Sequence, residues 1–304
     1  MVYKIYKINN IKEKKKIEQI LNITEITWKN VNFGDIFISF DFTTTNGDLM
    51  PGDWIGLFAK TLAFTDDINF GEKIVFYGII NKKEPLKASK DNVKGLYKYS
   101  GYDFGYFLDK KTATIDVKND NPVNAIKKLC TEINIEPGEI LKEWENNKEL
   151  LITKIYKKET ASNILNHIYK LALKSGLKDE YYFNCLDGKL NLVKYEKNND
   201  LKGYIANAFT MDSLKTIHSY TITQTLDEKD NTISNEINLN VIGDYNLKKG
   251  AIFDLKNEEL NLDGEYLIET SDHTISGVKE QVTIKIRKIP KLEEHMDTTD
   301  TRFV

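Results

Sequence analysis

"KGLYKYSGYDFGYFLDKK", residues 94–111, decides how the chain divides. It holds six aromatic rings, three glycines and two carboxylates, Asp103 and Asp109. Two readings compete for it. In the first, bends at Gly101 and Gly105 bring the acids together among the rings. A glycosidase cleft needs such a pair, roughly 5–10 Å apart. In the second, "GLYKYSG" is a strand that ends at a bend, and "YDFGYFLDK" leads into the next domain with its rings filling the joint. Asp103 then ties down the turn through local backbone hydrogen bonds. With 46 acidic residues in the chain, a close acidic pair arises easily, so the structural reading is adopted and no catalytic residue is assigned.

Residues before this corner read as β. "GDIFISFDFTTT" (34–45) places Ile36, Ile38, Phe40 and Phe42 on one face, the period-two pattern of a half-buried strand. "NGD" (46–48) signals a turn. "DWIGLFA" (53–59) and "KIVFYGIINKK" (73–83) are further strands. After the corner the pattern changes. Asn121 and Pro122 form a helix start, with Val123, Ile126, Cys130 and Ile133 on one face. "EPGEILKEWENN" (136–147) is a short helix with Ile140, Leu141 and Trp144 inward, and "LLITKIYKK" (150–158) is a strand. "ETASNILNHIYKLALKSG" (159–176) is a helix burying Ile164, Leu165, Ile168, Leu171 and Ala172, with Gly176 past its end. "EYYFNCLDGKLNLVKYEK" (180–197) is a hairpin, with Asp187-Gly188 in the position of a type I′ turn. From about residue 204 the strands return.

The expected fold is α+β and mainly β: two related β-barrel or sandwich domains flank a smaller α+β module. The divisions are 1–113, 114–203 and 204–290, followed by a polar tail, 291–304, expected to be ordered only against a partner. An internal echo motivates the pairing. "GDLMPGDWIGLF" (47–58) and "GDYNLKKGAIFDL" (243–255) each run Gly-Asp, a turn, then Gly-x-apolar-apolar-x-Leu. Gly47 and Gly52 thus correspond to Gly243 and Gly250, and the aromatic strands that follow place Tyr77 opposite Tyr266.

Chemistry is sparse. The four histidines, His167, His218, His273 and His295, fit no metal-binding spacing. Asp272 precedes His273 on a strand, so the two side chains face opposite ways. There is no nucleophile elbow, Walker loop or dinucleotide fingerprint. Cys130 and Cys185 sit in apolar patterns as reduced core thiols. No metal, cofactor or enzymatic activity is expected. Lys12–Lys16, "KEKKK", is the one dense basic run and reads as a solvated face, so no specific nucleic-acid binding is expected. No apolar run suits a signal peptide or membrane helix, which argues against membrane insertion and for folding in a cytoplasm.

"YDFGYFLDK" (102–110) is similar to the Tyr-Asp-x-x-x-aromatic-Leu-x-Lys signature of baseplate hub proteins in contractile phage tails and phage-tail-like bacteriocins. Tyr102, Asp103, Phe107, Leu108 and Lys110 carry the match. "ITWKNVNFGDIFISFDF", "VFYGIINKKE", "ETASNILNHIYKLALKSG" and "GEYLIETSDHTISG" resemble other segments of those hubs in the same order, over residues 20 to 290. The chain departs from them by having only "IGDYNLKK" before its final glycine-led strand, and His273 alone in place of a longer histidine ending. The resemblance implies a homotrimeric adaptor joining a six-fold tail tube, or tube-initiator protein, to a three-fold spike protein. It also implies contacts with tape-measure and baseplate wedge proteins, "FTTTNGD" (42–48) against the tube, and a place in the baseplate of a virion or tailocin assembled in the bacterial host cytoplasm. Two rival readings are a tail-associated cell-wall hydrolase using Asp103, Asp109 and a glutamate such as Glu145, and a carbohydrate- or protein-binding β module.

Overall fold

The structure is a computed structural model that describes residues 2–30, 37–60, 72–87, 95–138, 142–175, 177, 181–185, 187–197, 217–227, 232–242, 247–257, 262–277 and 279–289. The fold is mainly β with a helical minority, and its antiparallel sheets stay open: no closed barrel forms among the described residues. The chain makes two compact units. The first is Met1–Tyr195 with Gly243–Tyr245 and Asp272–Gln281, and the second is Glu196–Ile242, Asn246–Ser271 and Val282–Val304.

In the first unit, β1 (Val2–Ile8), β2 (Lys16–Ile20), β3 (Ile23–Asn30), β4 (Ile38–Thr44), β5 (Trp54–Lys60), β6 (Lys73–Lys87) and β7 (Leu96–Asp103) form a sheet in the order β3-β4-β7-β6-β5-β1-β2. Alternation determines its inner face, since Ile38, Phe40 and Phe42 of β4 are all buried. The rings of Phe40 and Phe76 stack at 5.2 Å, as do those of Phe42 and Tyr99. Tyr99 is fully buried, and its hydroxyl donates to the Asn46 carbonyl at 2.8 Å.

The chain leaves β7 through one helical turn, α1 (Tyr106–Lys110), into a second core in the same unit. Here β8 (Thr112–Asp120) pairs with β9 (Ile152–Thr160), and α2 (Pro122–Glu132), α3 (Lys142–Asn146) and α4 (Ala161–Lys174) complete the layer. Asn121 caps α2: its Oδ1 accepts from the Val123 N–H, while its Nδ2 donates to the Trp144 carbonyl at 2.6 Å. Trp144 is fully buried, whereas Ile140, Leu141 and Gly176 lie outside the described residues. β10 (Tyr181–Asn184) and β11 (Asn191–Lys194) form the hairpin. The ladder ends at Asn184 opposite Asn191, so the connection is longer than the two residues of the expected type I′ turn. Within it Gly188 (φ 79°) donates its N–H to the Cys185 carbonyl at 3.0 Å, and Asp187 accepts from the Lys189 N–H.

The second unit contains β12 (Glu196–Lys197), β13 (Ile217–Asp227), β14 (Thr232–Ile242), β15 (Ala251–Asn257), most of β16 (Leu262–Ser276) and most of β17 (Lys279–Lys288). Its strand order is β13-β14-β17-β16-β15, with β12 outside β15. This repeats the order β3-β4-β7-β6-β5 of the first unit element for element. The turns repeat as well. In residues 50–53 the Asp53 N–H donates to the Met50 carbonyl at 3.0 Å, and in residues 248–251 the Ala251 N–H donates to the Lys248 carbonyl at 3.2 Å. Gly52 (φ 101°) and Gly250 (φ 89°) occupy the third position of each, where a type II turn demands a left-handed residue. Their N–H groups donate to Ile80 at 2.7 Å and Ile268 at 2.9 Å respectively. The register differs from the echo read in the sequence by one residue. Ile55 faces Gly78 and its counterpart Phe253 faces Tyr266, so Tyr266 corresponds to Gly78 and not to Tyr77. A one-residue offset reverses the face: Tyr266 is fully buried, and Tyr77 is half-buried.

Candidate functional site at the Asp103 corner

β7 lies between β4 and β6, so Gly101 faces Phe40 on one side and Ile80 on the other. A Cβ on Gly101 would stand 2.2 Å from the Ile79 carbonyl oxygen and 2.4 Å from the Phe40 ring. Gly101 therefore admits a close approach and does not bend the strand, which runs on to Asp103. The turn comes at Phe104 and Gly105, and Gly105 adopts ordinary right-handed helical angles.

Asp103 has no exposed surface. Its Oδ1 accepts from the Gly105 N–H at 3.0 Å, which ties the end of β7 to the start of α1. Burial pushes the carboxyl up to about 8, against the opposing pull of the Ile38, Gly105 and Tyr106 backbone N–H groups. Among the described residues no group stands at hydrogen-bonding geometry to its Oδ2. Burial, and then the neighbouring Asp103 charge, hold the Cys185 thiol well above its usual range, and burial lifts Cys130 to about 12. Neither thiol is an activated nucleophile.

Two aromatic groups flank the corner. Tyr102 and Tyr106 stack at 4.3 Å with 11° between planes, Phe37 meets both edge-on, and the Lys110 ammonium stands 5.1 Å from the Tyr106 ring centre. Phe104 and Phe107 pack at 5.6 Å, each 6.2 Å from Trp54. Leu108 is fully buried and belongs to the helical module's core. The five signature positions thus meet at one corner. Asp103 makes the tie, Leu108 the anchor, Phe107 the joint, and Tyr102 and Lys110 help form a half-exposed aromatic face. The Gly52 turn adjoins them through Trp54. Gly47 lies elsewhere, against the Tyr97 ring, with its carbonyl accepting from Lys83. Gly250 holds the equivalent turn of the second unit, and Gly243 lies outside the described residues.

Two groupings escaped the sequence reading. His273 is buried, stacks on Trp28 at 4.4 Å, and places Nδ1 3.4 Å from Glu280, which also accepts from the Tyr3 hydroxyl at 2.7 Å. Beside it, Asp272 pairs with Lys29 at 3.0 Å, on the opposite side of the strand from His273. The second grouping surrounds Glu72. Lys16, Lys4 and the Tyr6 hydroxyl converge on it and hold its carboxyl down at about 2, while the Lys16 ammonium also caps the Tyr6 and Phe58 rings. Neither has a local signal, because each joins residues far apart in the chain.

Residues 26–234 match the YQBQ-like family. The chain belongs to that family. No curated protein sequence matches it. Among solved structures, a tail protein from Neisseria meningitidis MC58 is 15% identical with a TM-score of 0.61, the match covering 95% of this chain and 97% of that one. The 43 kDa tail protein of prophage MuSo2 from Shewanella oneidensis is 12% identical with a TM-score of 0.63, over 94% and 98% of the two chains. An E. coli type VI secretion component, described as structurally similar to the T4 tail proteins gp27 and gp5, is 8% identical with a TM-score of 0.53, over 89% and 74%. At these identities the likeness is one of fold. The YQBQ-like chain therefore has the fold of tail proteins over nearly its whole length, in agreement with the tail-hub resemblance of its corner motif.

Proposed function

We propose that this YQBQ-like chain is the baseplate hub of a contractile tail or tailocin, a homotrimeric adaptor between a six-fold tube and a three-fold spike. The observation that supports it best is the repeated strand order, β3-β4-β7-β6-β5 and β13-β14-β17-β16-β15. Three chains with two such modules each present six similar sheets, which a six-fold ring can meet without a symmetry mismatch. In this reading residues 1–113 and 204–290 are the paired modules, and residues 114–203 form a collar to one side. The signature residues at the Asp103 corner and the four repeat glycines are structural, and the tail 291–304 orders against a neighbour. Residues 42–48 lie at the end of the module that meets the tube. Tape-measure and wedge proteins would bind over broad surfaces and not at a small site. The particle would assemble in the host cytoplasm and the hub would stay in the baseplate.

The hydrolase reading draws no support from Asp103, which presents no surface to a polysaccharide. Light scattering tests the proposal directly: the purified chain should have the mass of three copies, and tails lacking it should have no spike. A stable monomer at micromolar concentration, or peptidoglycan clearing that Asp109→Asn abolishes, would overturn it.

A further inference from the structure

We infer that the far end of β6 in one copy seats on the outer edge of β13 in a second copy. This rests on the trimeric reading above and names the contact that would hold it together. Ile80 and Ile268 are equivalent points on β6 and β16, since each accepts from the glycine of the repeated turn. Past those points both strands outrun their partners β5 and β15, which begin at Trp54 and Ala251. On β6, β7 fills one side from Lys82 to Lys87, and no described strand fills the other.

On β16 that same side is occupied, because β16 neighbours β3. Residues 272–281 belong to the first unit. They are fixed there by the Asp272–Lys29 pair, the His273–Trp28 stack and the bond from Tyr3 to Glu280, and Ile275 packs on the first unit's core. The edge of β3 is thereby covered by a strand end. Its counterpart β13 pairs only with β14 among the described residues. β13 thus lacks the neighbour that β3 has, and residues 84–87 of β6 stand where residues 272–275 of β16 stand, with Pro85 the one residue among them that has no N–H to donate. An open edge is a template for another strand. Each edge also carries one large apolar residue in the open, Leu86 at 54% exposure and Tyr220 at 50%, among polar neighbours such as Lys82 and Thr221. Using one contact type from module to module makes a head-to-tail interface, which forms a ring when the rotation closes.

The test is a full-length chain carrying Leu86→Cys and Tyr220→Cys, treated with a short bis-maleimide. Cys130 and Cys185 are buried and do not compete. Covalent dimers and trimers on a denaturing gel, absent from either single variant, are expected. Leu86→Asp alone should convert the trimer to monomer in light scattering with an unchanged circular dichroism spectrum. A trimer by light scattering that yields only monomer on the gel overturns this contact and leaves the hub reading standing. A wild-type monomer, or a cross-link confined within one chain, overturns the contact as well, and the monomer removes the trimer with it.

Discussion

Asp103 is a carboxyl with no exposed surface whose burial raises it from 3.8 to about 8. The folded state therefore holds the proton more tightly than the unfolded chain does. Stability from this group is fully present below about pH 4 and is lost as pH rises toward 8. Glu72 works the other way. Held at about 2, chiefly by Lys16, it supports the fold above its ordinary 4.5, and that support is lost as pH falls toward 2. In urea titrations, wild-type stability should decline between pH 4 and pH 8. Asp103→Asn keeps the acceptor for Gly105 and should remove that decline, gaining roughly 1–3 kcal/mol at pH 8. An identical pH slope in both proteins would refute the assignment. Gly101→Ala places a methyl group against a carbonyl oxygen and should cost about 1–3 kcal/mol by denaturant melting. The local tie from Asp103 to the next backbone N–H groups was legible in the sequence, because an Asp before a turn does this by itself. Its full burial was not, since that depends on Ile38 and Cys185, distant in the chain.

Strands with alternating side chains were the most readable elements: β4 buries every residue its pattern assigned to the core among those described. The start of α2 was equally readable, since Asn-Pro is a local cap signal. Replacing Asn121 with Ala removes both the cap and the bond to Trp144, and should lower stability by about 1–2 kcal/mol without altering oligomeric mass. β1 and β2 were legible only as part of a β region and not as separate strands, because "VYKIYKI" lacks strict alternation and the lysines following it read as a solvated run. Their place is set by long-range pairing with β5 and by Lys16 over the Tyr6 and Phe58 rings. The hairpin at 181–194 was readable as a hairpin, whereas its turn type depends on backbone angles that Asp-Gly does not dictate. The repeated turns make a sharper forecast. Gly52→Ala meets no neighbouring atom, so its cost is the left-handed backbone alone, about 1–2 kcal/mol. Gly250→Ala should cost the same within error if the turns are equivalent, and a several-fold difference between the two melts would argue that they are not.

Across the whole molecule, the repeat was visible in the sequence as a short Gly-led echo, too brief to define a sheet. The strand order extends it to five elements on each side, and the register refines it, with Tyr266 matched to Gly78. Chain length and motif order also made the tail-protein fold readable, because the order of weak segments survives where each segment's identity does not. Oligomeric geometry is absent from a single chain's sequence pattern, since it depends on edges whose partners lie in other copies. The hub account stands or falls on that geometry, and a reconstruction of the assembled tail at its baseplate, computed without imposed symmetry, tests it most directly. Three copies should encircle the axis, with the β3–β7 and β13–β17 sheets alternating at one radius as six similar modules directly beneath the tube. Six copies, a single copy, or two sheets at clearly different radii would contradict it.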